Sequence, residues 1–226
     1  MEAFLNLEKR ELGVETSGLE SSFFALHDSW RGIPRIWICE DGIKTLPDNV
    51  RKGCLHHEVA HTVLHGSLEY YLFTLPRKLL ELVSKGEISM QNATNLLYVA
   101  SVTVKDYEVT RYLYRNGFVK DQVAYVKYLL KHSQSDAELW EAAKKNRISR
   151  LLFLTSILKN IYCATPLLED EEYGKEVENS IVESINYLPK HLIGKILKMM
   201  KIASKFNDDT RENLNLLIRE VIKEFT

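Results

Sequence analysis

Apolar residues recur at helical spacing along most of the chain, and at strand-like spacing only near its beginning. The run 33–39, Ile-Pro-Arg-Ile-Trp-Ile-Cys, is β-branched and aromatic and stops at the turn-forming Glu40-Asp41-Gly42. That predicts a strand with Pro34 at its start or on an edge. For 21–30 the pattern fits a short helix or another strand equally well. With Gly13, Gly18, Gly32, Pro34 and Gly42 breaking up this stretch, β structure is confined to roughly the first fifth of the chain. From Leu46 onward the spacing predicts helices over 48–66, 68–84 (interrupted or restarted at Pro76), 89–115, 121–131, 136–162, 171–188, 189–205 and 208–225. Gly66, Gly86 and Asn116-Gly117 are the natural stops. The acidic stretch 169–172 reads as a solvated turn, and Leu151, Leu152, Leu154, Ile157, Leu158 and Ile161 as core. The expected class is α+β, mostly α: a small mixed domain over 1–117 followed by a helical C-terminal subdomain over 118–226.

Composition narrows the partners without naming one. Lys and Arg number 30 against 31 Asp and Glu, for a net charge of -1, and 45% of the 226 residues are hydrophobic. A neutral balance argues against a nucleic-acid groove or an acidic membrane surface, and the stripe Lys195, Lys198, Lys201, Lys205 has acids nearby. Three scattered cysteines make neither a disulfide framework nor a cysteine-rich metal site. The opening MEAFLNLEKRELG is charged too early for a signal peptide, and no window holds 18 uncharged apolar residues. The expectation is a cytoplasmic protein with no nucleic acid and no membrane among its partners; oligomeric state stays open.

One residue type is unevenly spread. Of seven histidines, four fall between 56 and 65. Positions 57–61 read His-Glu-Val-Ala-His within a predicted helix, where four residues advance the helix by roughly 400°. His57 and His61 therefore share a face one turn apart and can offer ring nitrogens to one ion. Glu58 projects from the adjacent face, within reach of a water on that ion, the arrangement of a zinc-dependent hydrolase. His65 lies roughly 12 Å further along the axis from His57, too far for a shared ion, and reads as a cap or hydrogen-bond partner near the helix end. His56 points away from the ligand face.

A catalytic zinc site needs a third protein ligand. The metzincin extension would require Gly at 64 and the ligating His at 67, but the chain has Leu64 and Ser67. The next long helix offers Asp106-Tyr-Glu-Val-Thr-Arg-Tyr-Leu113. This segment resembles the Glu-x-x-x-Asp helix of gluzincin metallopeptidases, and the run 57–66 is similar to the ImmA/IrrE branch of that family. The resemblance covers about 33–117 and is most specific at His57, Glu58 and His61. It implies a zincin-like fold, one Zn²⁺ per chain held by His57, His61 and Asp106, and Glu58 as the general base toward a metal-bound water. Two positions depart from the pattern: Asp106 is shorter than the family's Glu, and Thr110 has no carboxylate to steady a ligating histidine.

Helical geometry alone also separates the two acids. Asp106 falls on an apolar stripe with Val99, Val102, Val109 and Leu113, where a carboxylate needs a strong partner. Glu108 falls with Ser101, Lys105, Arg111 and Arg115, which reads as a solvated side with intrahelical ion pairs. Asp106 is favoured, with Glu108 and then Glu69 or Asp121 as alternatives. The functional expectation is a zinc metallopeptidase acting on a peptide or protein, with Tyr107, Tyr112 and Tyr114 more readily packing groups than oxyanion donors. The alternative is a metal-holding regulatory or peptide-binding module of the same fold with little turnover.

Overall fold

A computed structural model of the chain describes residues 24–131 and 134–226; the opening segment, with Gly13 and Gly18, and residues 21–23 of the ambiguous stretch 21–30 lie outside them. The described chain is mostly helical with one small antiparallel sheet. Strand β1 (Ala25–Asp28) pairs with β2 (Arg35–Ile38) in the register Leu26 to Trp37 and His27 to Ile36. The ambiguous stretch thus contributes a strand. Gly32 sits in the connecting turn at φ +75°, a conformation that disfavours any side chain. Asp28, fully buried, accepts from Arg35 across the ladder at 2.8 Å and also from the Trp37 indole. Cross-strand pairing of this kind fixes the register of a sheet too short to be stable alone.

A short helix α1 (Glu40–Lys44) leads to α2 (Asp48–Leu64). A single 3₁₀ turn, Leu68–Tyr70, precedes α3 (Arg77–Ser84), which starts immediately after Pro76. Helix α4 (Met90–Arg115) is capped by Ser89, whose hydroxyl accepts from the Asn92 amide, and ends at Gly117, φ +83°. Then come α5 (Val119–Leu129), α6 (Gln134–Ala143), α7 (Arg147–Ala164), α8 (Gly174–Ser184), α9 (Lys190–Met200) and α10 (Thr210–Phe225). The expected single helix over 136–162 is two helices. Asn146 separates them, its side chain accepting from the amides of Ile148 and Ser149 as an N-cap for α7. The pattern over 189–205 likewise becomes α9 followed by a 3₁₀ segment, Lys201–Lys205.

Helix α4 lies lengthwise on α7, and α5, α9 and α10 complete the surround. One apolar cluster extends from Leu79 to Phe225 and so crosses Gly117; Leu151, Leu154, Leu158 and Ile161 are at its centre. The 147–169 segment is apolar enough by composition to cross a bilayer, with a mean hydropathy of 1.5. In this fold its apolar face is covered by α4, the arrangement of a core helix.

A second, smaller cluster of Ile43, Leu46, Val50, Cys54 and Tyr125 seats α2 on α5. Here a glycine inside a helix has a structural reason. A Cβ on Gly53 would lie 2.4 Å from the Asp121 carbonyl oxygen and 2.7 Å from the Tyr125 Cβ. The absent side chain lets the two helices touch, and Gln122 Nε2 then donates to the Gly53 carbonyl at 2.9 Å. That contact, together with α4 on the other side, places the face of α2 bearing His57 and His61 against the interior.

Candidate metal centre

His57 and His61 sit one turn apart on α2 with their Nε2 atoms 3.1 Å from each other. From α4, Asp106 Oδ1 approaches His61 Nε2 at 3.2 Å and His57 Nε2 at 3.7 Å. All three side chains are buried, at 3%, 2% and 6% exposure. These residues could together hold a metal ion. A tetrahedron of ligands about 2.0–2.1 Å from zinc has edges of about 3.3–3.4 Å, close to the three separations found here. The donor set, two imidazoles and one carboxylate, suits zinc among several divalent metals.

The electrostatics favour a cation. Hydrogen bonds to His57 and His61 and the Lys159 ammonium outweigh burial to hold the Asp106 carboxyl well below the usual carboxylate range. Burial, reinforced by the His27 ring, pushes His61 well below the usual imidazole range, so it is neutral at pH 7 with a lone pair to give. Burial pushes the Cys54 and Cys163 thiols up to about 12, and neither belongs to the group that could hold an ion.

Glu58, adjacent to His57, is also buried, at 7% exposure. Its Oε2 lies 2.9 Å from His27 Nδ1 of β1. Sequence reasoning did not single out His27, because the stretch around it could not be assigned to strand or helix. The only hint was its place in a stretch that strand alternation could aim at α2.

Behind His61 stands a further pair of buried groups. His65 Nδ1 is 3.1 Å from His61 Nδ1, and His65 Nε2 is 3.0 Å from Glu108 Oε2. The expected role of His65 as a hydrogen-bond partner near the helix end is what the structure has. Glu108 corrects the sequence expectation. It is 7% exposed, and Ser101 and Lys105 on the same face are equally enclosed, because α10 and the turn at Tyr70 cover the side that reads as solvated. Glu108 Oε2 also accepts from Thr210 Oγ1 and its Oε1 from Asn213 Nδ2, each at 2.8 Å. Its oxygens are engaged in these hydrogen bonds, and it lies outside the His57, His61 and Asp106 group that could hold an ion. A cavity of about 250 Å³, whose lining includes Leu64, His65, Tyr70, Glu108 and Thr210, ends on this pair and not on the three donors.

His57 lacks such support: its Nδ1 is buried without a hydrogen-bond partner. Thr110, at the position where a gluzincin carries its supporting Asp, meets Cys163 Sγ at 3.4 Å instead. Lys105 is buried beside the acids, Nζ 4.8 Å from the Tyr71 ring centre and 3.4 Å from the Tyr70 carbonyl. Burial lowers it to about 8 although Asp106, Glu108 and Glu58 act to raise it.

The other candidates fall elsewhere. Asp121 is 2.5 Å from His56 Nδ1 on the outer side of α2, and Glu69 is exposed. Tyr107 packs on Phe206 and donates to the Ala203 carbonyl at 3.3 Å; Tyr114 packs against the core and Tyr112 is partly exposed. No family model, curated protein or solved structure matches the chain.

Proposed function

We propose that the chain is a zinc-dependent metallopeptidase with a zincin-like arrangement of α2 and α4, acting on a peptide or protein in the cytoplasm. The observation that carries this is the convergence of His57, His61 and Asp106, with Glu58 next in the chain to the first of them. A zinc ion, when bound, polarises a carbonyl and lowers the pKa of a water to about 7. Glu58 would take the proton of the attacking water and pass it to the leaving amine. His27 would orient the Glu58 carboxylate while that proton moves. The free edge of β2, among the described residues, would accept an extended substrate by strand addition.

A second reading is a zincin-fold regulatory or peptide-binding module with little turnover. Two observations favour it: all four groups are at most 7% exposed, and His57 Nδ1 has no partner to hold the ring. The two readings separate in one experiment. Protein purified without a histidine tag and never exposed to chelator should contain about one zinc per chain by elemental mass spectrometry. It should cleave members of a mixed peptide library, and Glu58→Gln should keep the metal and lose cleavage. Zinc without cleavage in the wild type selects the regulatory module; absence of zinc removes both readings.

A further inference from the structure

A cavity of about 670 Å³ opens where the stretch 72–76, neither helix nor strand, runs into α3 beside one face of α10. Its size lies in the range that small ligands occupy. Four cations line it, Arg77 and Lys78 from α3 and Arg211 and Arg219 from α10, against one acid, Glu81. The chain as a whole carries a net charge of -1, so this is a local excess. The apolar part of the lining is held by the core: Phe73 packs against the main cluster and Leu214 is buried within it.

The acids at hand do not satisfy these cations. Glu81 is shared between Arg77 at 3.2 Å and Lys78 at 3.3 Å. Glu220, just outside the lining, is shared between Arg219 at 3.2 Å and Lys223 at 3.5 Å, and Arg211 meets Glu69 at 4.0 Å. A guanidinium has five N–H donors in a planar fork, more than these contacts use. Two helices therefore bring like charges to one cavity, and a bound anion relieves their repulsion. Three arginines out of four cations suit the bidentate geometry of phosphate.

The neighbouring cavity bounds the ligand. It is about 490 Å³, shares Phe73 and Arg211 with the first, and carries Glu69, Asp208 and Asp209. An acidic peptide running on past Arg211 would meet those three carboxylates, whereas a small anion stops short of them. We propose that the larger cavity binds a small organic phosphate of the nucleotide class, its ring against Phe73 and its phosphates on Arg77, Arg211 and Arg219. The site shares no residue with His57, His61 and Asp106, so it stands whether or not the chain holds a metal.

Titration calorimetry of the full-length protein at about 0.15 M salt, where exposed charges are screened beyond about 8 Å, tests this with ADP, inorganic pyrophosphate and an aspartate-rich peptide. ADP should bind saturably, one per chain and at least about tenfold more tightly than pyrophosphate. Arg211→Gln and Arg219→Gln should each weaken ADP about tenfold, the loss of one charge-assisted hydrogen bond. Phe73→Leu should weaken ADP and leave pyrophosphate within about twofold; Lys205→Gln, a cation outside the cavity, should change neither. The two arginine variants carry the test if Phe73→Leu does not fold. Absence of saturable ADP binding, or arginine variants within about twofold of wild type, overturns the proposal. So does pyrophosphate binding as tightly as ADP, which marks a bare charged patch, or the peptide binding more tightly, which marks a protein-docking surface. ADP binding that vanishes in EDTA would place the nucleotide on a metal instead and overturn it as well.

Discussion

The ring of His27 lies flat on that of His61, centroids 4.0 Å apart and planes within 10°. The same His27 meets Glu58 through Nδ1. One residue of β1 therefore contacts both a candidate metal donor and the proposed base, and the sheet's main service to the site is to present it. His27→Phe keeps a flat ring over His61 and deletes the bond to Glu58. Zinc content should be unchanged, and cleavage of a peptide identified with the wild type should fall by about tenfold or more. Loss of zinc together with cleavage would assign His27 to supporting the donors instead.

Metal should stabilise the fold with the logarithm of its free concentration. At a free zinc level about a thousandfold above Kd, linkage contributes about 4 kcal/mol, which for a chain of this size raises Tm by about 8–16 °C. Asp106→Asn should abolish that rise in calorimetry, and Glu69→Gln, on the exposed 3₁₀ turn, should leave it intact. An equal rise in Asp106→Asn would place the ion elsewhere.

Gly53→Ala sets two effects against each other. Alanine in a helix gains about 1 kcal/mol over glycine, but its Cβ would lie 2.4 Å from a backbone oxygen that cannot rotate away. Overpacking should win, with a net loss of about 1–3 kcal/mol in urea unfolding. A stabilised variant would show that α2 and α5 separate readily.

Acid should unfold the metal-free protein in two stages. His61 and His65 are both lowered, mainly by burial, so below about pH 6.5 the unfolded chain binds protons that the folded chain refuses. Stability therefore falls as pH drops through that range. Asp106, lowered despite its burial, adds stability that is present above its unfolded value of 3.8 and is lost as pH falls further. At the other end, Lys105 at about 8 against 10.5 unfolded makes stability rise with pH between those values. Tm measured from pH 2 to 10 with chelator present checks the signs; a flat profile between pH 7 and 5 would contradict them. Lys105→Met should remove the rise in stability between about pH 8 and 10.5, read in the same Tm series.

Much of the centre was legible in the sequence because it depends on local geometry. The four-residue spacing of His57 and His61 fixes a shared face whatever surrounds the helix, and Asp106 stood out as a charge on an apolar stripe. Glu108 was misread for the complementary reason. Lys105 and Arg111 beside it suggest a solvated face, and nothing local reveals that a helix a hundred residues later covers it. The break at Asn146 shows the same limit at smaller scale: apolar spacing continues across it, and only the side-chain cap interrupts the helix. The support around His61 was partly readable in His65 and unreadable in Thr210 and Asn213, which carry no motif.

The bonds from Glu108 to Thr210 and Asn213 close the chain over 102 and 105 residues. Until α10 arrives, that carboxylate has only His65 as a partner, and a carboxylate short of donors keeps its water. The interior beside His61 therefore cannot dry out piecemeal. Drying there and docking of α10 become one event, so amides in the second half of α4 and the first turns of α10 should exchange with a common opening free energy. A partly assembled chain would have the histidines and Asp106 in place, yet with a wet and unaligned centre.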